Sequence, residues 1–251
     1  MQSQQQSLIY LHIAVLLFGG TALFAKLIGL NALDITVYRA AIAGIAIFIL
    51  LGMQKKPIKL NQGKDYLIAL LLGVAVGIHW VTYFAGMQLA GITIGMLAFF
   101  SYPVITVFLE PFFHKSKPKA KDIISAAVVL IGIYLLIPNA NLGNDVTLGV
   151  ITGVISAFFF AIRNIIHKRY FNQYGGPQTM FYQTLVASLM LCAFIEVPIY
   201  ATTNHDLVLI LVAGVIFTAA PHSLFAASLK HLSAATAGLI ACLPPLLLVV
   251  H

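Results

Sequence analysis

Long apolar runs alternate with short polar breaks along almost the whole chain. A helix needs about 20 apolar residues to cross a ~30 Å hydrocarbon core. Nine runs come near that length, at 8–30, 35–52, 66–87, 92–113, 122–137, 148–170, 178–200, 207–229 and 233–250. The pattern predicts nine membrane-crossing helices. The break after the second run holds Lys55, Lys56, Lys59 and Lys64, and the break after the fourth holds Lys115, Lys117, Lys119 and Lys121. Arg163, Asn164, Lys168 and Arg169 close the sixth run, and Lys230 and His231 follow the eighth. The breaks after the odd-numbered runs carry no Lys or Arg. A turn-rich connector at 138–147, PNANLGNDVT, divides the chain.

Composition agrees with this pattern. Hydrophobic residues make up 61% and charged residues 8%, against roughly 45–50% and about 25% in soluble domains. The fold class is therefore all-α, a polytopic transmembrane helical bundle in a lipid bilayer. The net charge of +7 would suggest nucleic acid in a soluble protein. Here the positive charge lies in alternate short loops, so it reads as topology, with a cytoplasmic N-terminus and no nucleic-acid partner. The start MQSQQQ has no basic residue, and the first run is too long for the apolar core of a cleaved signal. Cys192 and Cys242 lie inside apolar runs and read as packing residues.

A long-period repeat is the next signal. The stretch 77–113 has a weaker copy from His222 onward. A shift of 143 (222 − 79) pairs His79 with His222, Leu89 with Leu232, Thr93 with Thr236, Gly95 with Gly238 and Ala98 with Ala241. Nearby shifts pair Lys26 with Lys168, Pro103 with Pro245, and Tyr38–Arg39 with Tyr182–Gln183. Five helices is an odd number, so a second copy enters the bilayer from the opposite side. The expected plan is two inverted five-helix repeats, residues 1–137 and 148–251, with nine helices present. Binding sites in such folds lie near mid-bilayer between the halves. The register leaves the fifth helix without a partner before His251, so truncation of a ten-helix plan is expected, with a nine-helix protein as the alternative.

Several motifs occur in a recognisable order: Gly19–Gly20 inside the first run, Tyr38-Arg39-Ala40 opening the second, YFAGMQLAGITIGMLAFFSYP at 83–103, and LKHLSAATAGLIACLPP at 229–245. In this order the chain resembles the drug/metabolite transporter superfamily, in its ten-helix EamA-type branch. Glu110-Pro111 followed by His114 and Lys115 departs from the acidic-then-basic pattern the family often shows after its fourth helix. The resemblance implies a cytoplasmic-membrane transporter, often an exporter of amino acids or other small metabolites.

Residues that suit a binding site can be read directly. Val76, His79, Trp80, Tyr83 and Met87 share one helical face. His79 is titratable at mid-depth, where such groups face a bundle interior or a wet cavity. It reads as a cavity wall or proton acceptor; the bland alternative is a neutral histidine in a helix contact. Trp80 and Tyr83 either wall a cavity or simply pack. Arg39 suits a substrate carboxylate, an ion pair with Asp34, or snorkelling to the surface. Arg163 suits an inner pathway or snorkelling. Tyr38, Tyr182 and Gln183 add polar lining. His222 follows Pro221, which can kink the helix and free a carbonyl for it. Glu110 and Glu196 read as solvated end groups, and Pro103, Pro244 and Pro245 as kinks or hinges.

No nucleotide loop, metal-ligand cluster or nucleophile–base set stands out, so neither enzyme, cofactor nor metal is expected. The expected function is a secondary transporter of a small metabolite, an amino acid or similar, working by alternating access. A substrate gradient, exchange or proton coupling would drive it. The alternatives are an intramembrane lipid-acting enzyme and a non-transporting membrane protein.

Overall fold

The computed structural model describes residues 4–114 and 144–241, with residues 124, 127, 128 and 131 between them. The predicted fifth helix, most of the connector and the end of the ninth helix, with Cys242, Pro244 and Pro245, lie outside the described residues. Within them every regular element is helical. In chain order these are α1 (Gln4–Thr21), α2 (Phe24–Leu27), α3 (Ala32–Met53), α4 (Gly63–Ala90), α5 (Ile92–Phe99) and α6 (Tyr102–His114). After the connector come α7 (Asp145–Tyr170), α8 (Gly176–Leu191), α9 (Asn204–Gly214), α10 (Ala220–Ser228) and α11 (Ala234–Ile240). Among the described residues six spans are long and apolar enough to cross a membrane: Gln4–Leu27, Ala32–Met53, Gly63–Ala90, Ile92–Phe113, Asp145–Tyr170 and Asn204–Ser228.

The radial distribution of side chains suits an apolar solvent. Leu16, Ile45 and Leu67 point outward and are at least 60% exposed, whereas Arg39, Arg163, Gln183 and Thr218 are fully buried. Hydrocarbon offers nothing to a polar group, so polar groups turn inward to find partners. The central helix is α4. It packs along α7 and α8 and also meets α3 and α5, while α1 packs along α10.

The predicted runs are interrupted where their backbone groups find other partners. The first run, expected to continue to residue 30, breaks after Thr21 and resumes as the single turn α2. The fourth divides at Phe100–Ser101, and Pro103 falls in the first turn of α6, where its missing N–H would have had no partner in any case. The sixth begins at Asp145 rather than 148, because the Asn144 side chain caps it through the Val146 N–H at 2.9 Å. The seventh, expected to reach residue 200, stops at Leu191 and turns through a 3-10 segment at Cys192–Phe194. Pro198 could not continue it, and the Glu196 and Val197 N–H groups go instead to the Asp34 carboxylate, at 3.0 and 2.9 Å. Cys192 is exposed on this segment rather than packed inside a helix.

The eighth run carries a π turn at Val215–Ala219, between α9 and α10. Pro221 has no N–H to give, so the Phe217 carbonyl is free to accept the Thr21 hydroxyl at 3.3 Å. The freed carbonyl therefore ties α1 to the bend and does not serve His222. The Phe217 ring fills the close approach beside Gly20.

Three glycines fix the centre. Gly91, with φ of +83°, makes the one-residue turn between α4 and α5. Gly86 and Gly149 let α4 and α7 touch: a Cβ on Gly149 would lie 2.4 Å from the Ala90 Cβ and 2.9 Å from the Gly86 carbonyl oxygen. Gly149→Leu should therefore destabilise the purified protein by about 1–3 kcal/mol or more, read as a lower melting temperature in detergent. Gly52→Ala, where an added methyl meets nothing within 4 Å, should leave the melting temperature unchanged. Equal melting of the two variants would contradict this packing.

Candidate functional site

A cavity lies inside the bundle, bounded by α1, α3, α4, α5, α6, α7 and α10. Its free volume is about 50 Å³, more than the ~10–15 Å³ that one water occupies, so several waters can be held. Helix α4 contributes His79, Trp80 and Tyr83 from a single face, α3 contributes Arg39, and α10 contributes His222. The remaining walls are largely aromatic: Phe18, Phe99, Phe100, Tyr102 and Phe160.

Arg39 is fully buried. Its guanidinium lies between two rings, 4.5 Å from the Trp80 centroid and 4.6 Å from that of Phe84. Nη1 donates to the Thr218 hydroxyl at 3.1 Å, and that hydroxyl donates back to the Ala213 carbonyl inside the π bend at 2.7 Å. Among the described residues Nε and Nη2 have no partner. Asp34, the ion-pair partner considered from the sequence, is occupied elsewhere. It accepts the Glu196 and Val197 N–H groups and the Asn31 side-chain amide.

His79 is held by Ser156 of α7. The Ser156 hydroxyl donates to the His79 carbonyl at 3.0 Å, which uses its only proton. The His79 Nδ1 at 2.7 Å must then be the donor, so the ring is the Nδ1–H tautomer. The ring stacks on Phe99 at 5.2 Å and tilts against Phe160 at 4.8 Å. His222 sits edge-on to Phe18 at 4.7 Å and to Trp80 at 5.0 Å. Its Nδ1 is buried without a partner, as is the Trp80 Nε1.

Of the nine residues singled out from the sequence, the fold brings Arg39, His79, Trp80, Tyr83 and His222 to this cavity. Two others serve the ends of the bundle. The Tyr38 hydroxyl donates to the Val197 carbonyl at 2.5 Å, and the Tyr182 hydroxyl donates to the Ile58 carbonyl at 3.0 Å. Near each tyrosine, the start of the same helix grips the same loop. Asp34 binds the N–H groups of residues 196 and 197, and the Gln178 amide donates to the Ile58 and Lys59 carbonyls at 3.2 and 3.1 Å. At the lysine-bearing end, the Tyr174 hydroxyl also donates to the Asp65 carboxylate. Burial first, and then this bond, push the Tyr174 phenol above its ordinary value.

Arg163 and Gln183 meet in a second buried cluster. Arg163 donates to the Gln183 side-chain oxygen at 2.7 Å, the Asn164 oxygen at 2.9 Å and the Met180 sulfur at 3.0 Å. Neither residue lines the cavity.

Sequence reading missed Thr218, Ser156 and the ring pair Phe18 and Phe160. The last pair was within reach: its offset of 142 (160 − 18) is that of Lys26 and Lys168 (168 − 26). Among the described residues no cluster could hold a metal ion. Ser156→Ala should cost about 1–3 kcal/mol, because the buried His79 donor loses its acceptor. The measurement is thermal melting in detergent, and an unchanged melting temperature would contradict the assigned bond.

Comparison with known proteins adds an identity to this geometry. A family model described as the EamA-like transporter family matches residues 5–137 and 147–251. An uncharacterized transporter of Bacillus subtilis (strain 168), YxxF, is 25% identical over 256 residues, spanning 99% of this chain and 82% of that protein. An uncharacterized transporter of Archaeoglobus fulgidus is 24% identical over 236 residues, spanning 93% of this chain and 82% of that protein. A solved crystal structure shares the fold, with a TM-score of 0.71 at 15% identity, over 99% of this chain and 88% of that one.

Proposed function

This chain belongs to the EamA-like transporter family and is a multi-pass membrane transporter, not an enzyme, and from that premise we propose that it is a secondary transporter carrying a small organic metabolite through the Arg39 cavity by alternating access. The direction is export from the cytoplasm across the cytoplasmic membrane, with the N-terminus inside. These two points rest on the family resemblance and on the lysines in alternate loops. The cargo is of about amino-acid size, and its gradient, exchange or a coupled ion supplies the drive.

The observation that carries this reading is the cavity, an aromatic-walled space inside an apolar bundle with Arg39, His79 and His222 in its lining. Paired contacts support two inverted halves around it. His79 lies 4.8 Å from Phe160, and His222 lies 4.7 Å from Phe18. The offsets are 143 (222 − 79) and 142 (160 − 18), so each histidine–phenylalanine pair is the counterpart of the other with the halves exchanged. The end ties follow the same rule: Tyr38 and Tyr182, and Asp34 and Gln178, are both 144 apart (182 − 38 and 178 − 34). Each tie joins a helix of one half to a loop of the other. Breaking one while keeping the other opens the cavity to one side only, which is what alternating access requires.

Counterflow tests the reading. The purified chain in liposomes is loaded with an excess of one unlabelled compound, and entry of the same compound, labelled, is followed. The panel is benzoate, phenylalanine, isoleucine, putrescine and uracil. At least one member should enter faster against its own excess, without ATP. Equal entry into loaded and unloaded vesicles for every member would contradict a transporter of this cargo size.

A further inference from the structure

The buried polar groups around the cavity that lack a partner among the described residues are all nitrogen: Arg39 Nε and Nη2, Trp80 Nε1 and His222 Nδ1. The first three can only donate. They belong to side chains in contact with one another, since Trp80 lies against both the Arg39 guanidinium and the His222 ring. No carboxylate appears among the described residues that line the cavity, and the one side-chain acceptor that these residues give Arg39 is the neutral Thr218 hydroxyl. A guanidinium held in an apolar bundle is costly unless a negative charge or several acceptors meet it. Ring faces above and below offset part of that cost, but they leave the edge with Nε and Nη2 unmet.

Resting on the transport reading above, we propose that the cargo is a monocarboxylate with a flat apolar body and no ammonium group. Its carboxylate takes the Arg39 Nε and Nη2 donors in two parallel hydrogen bonds, the arrangement for which a guanidinium edge is shaped. Its body lies among the rings of Phe99, Phe160 and Tyr102, of which Phe99 stacks on Tyr102 and on His79 while Phe160 meets Phe99 and Tyr102 edge-on. A zwitterionic amino acid fits worse. Its carboxylate would find the same donors, but its ammonium would enter a cavity that already holds a cation and offers no described carboxylate. A neutral amide leaves the guanidinium edge without an anion. Sites built around a buried polar partner reject analogues that lack it by large factors.

The protein carries its own reporter, because Trp80 is the only tryptophan and its ring lies on the Arg39 guanidinium. Tryptophan emission of the purified full chain in detergent is titrated with phenylacetate, phenylacetamide, phenethylamine and phenylalanine, which share one ring and differ in charge. Phenylacetate should change the emission saturably, with the other three binding at least about tenfold more weakly. Arg39→Gln should weaken phenylacetate at least tenfold, and Arg39→Lys, which keeps the charge but loses the paired geometry, should fall between. The wild-type comparison needs no variant, so misfolding of Arg39→Gln cannot leave the question open. Equal or tighter binding of phenylalanine, phenethylamine or the amide would overturn the proposal, and so would no saturable response to phenylacetate. Counterflow of an amine or a zwitterion with no carboxylate response would sink this assignment and leave the transport reading standing. Absence of counterflow beside normal phenylacetate binding would do the reverse.

Discussion

A chain that lives in hydrocarbon has no solvent for its polar groups, so each donor and acceptor must be met inside the protein. Most features of this bundle follow from that constraint. Serine and threonine hydroxyls turn back onto their own helices, as Thr36 does to the Ala32 carbonyl and Thr184 to the Met180 carbonyl. Where a helix is interrupted, another element supplies the missing bond. Thr21 takes the carbonyl freed by Pro221, and Gln88 reaches across to the Leu30 carbonyl at 2.9 Å. Helix packing has little hydrophobic drive in such a solvent, because lipid tails are as apolar as the side chains. Close contact along Gly86 and Gly149 and the end ties of Asp34, Tyr38, Gln178 and Tyr182 therefore carry a large share of the cohesion between the halves.

Among the described residues, Arg39 is the buried cation left with unmet donors, beside neutral groups such as Thr179 and Ser223 that also lack a partner. The same bundle that satisfies Asp34 with two backbone N–H groups leaves a buried guanidinium with one neutral hydroxyl and two ring faces. Arg163 makes the contrast sharper: equally buried, it is met by two amide oxygens and a sulfur. One arginine is finished by the protein and the other is left open beside a cavity. On the proposal above, that opening is where cargo supplies the missing acceptors.

The fold was legible because it rests on composition and run length, which are properties of the sequence. The pocket was legible on α4, where His79, Trp80 and Tyr83 share a face by helical spacing, and at Arg39 and His222, whose charge or ring is conspicuous in an apolar run. Tyr38 and Tyr182 were equally conspicuous but belong to the end ties, and spacing along one helix does not say which end of the bundle a neighbour reaches. Thr218 was hidden because its role depends on the π bend, a backbone irregularity set by Pro221 and by packing against α1. The stop at Leu191 was hidden for a similar reason. It depends on Asp34, far away in the chain, competing for the N–H groups of residues 196 and 197.

The central claim is that the two ends of the bundle open in alternation around a fixed mid-depth cavity. Spin labels at Lys26 and Tyr200, on opposite halves at one end, and at Lys56 and Gln173, on opposite halves at the lysine-bearing end, measure it directly. All four side chains are exposed. Distance distributions for each pair in liposomes, with and without a compound that shows counterflow, should shift in opposite senses, one end closing as the other opens. Two pairs that widen together, or that both stay fixed while cargo exchanges, would contradict the account.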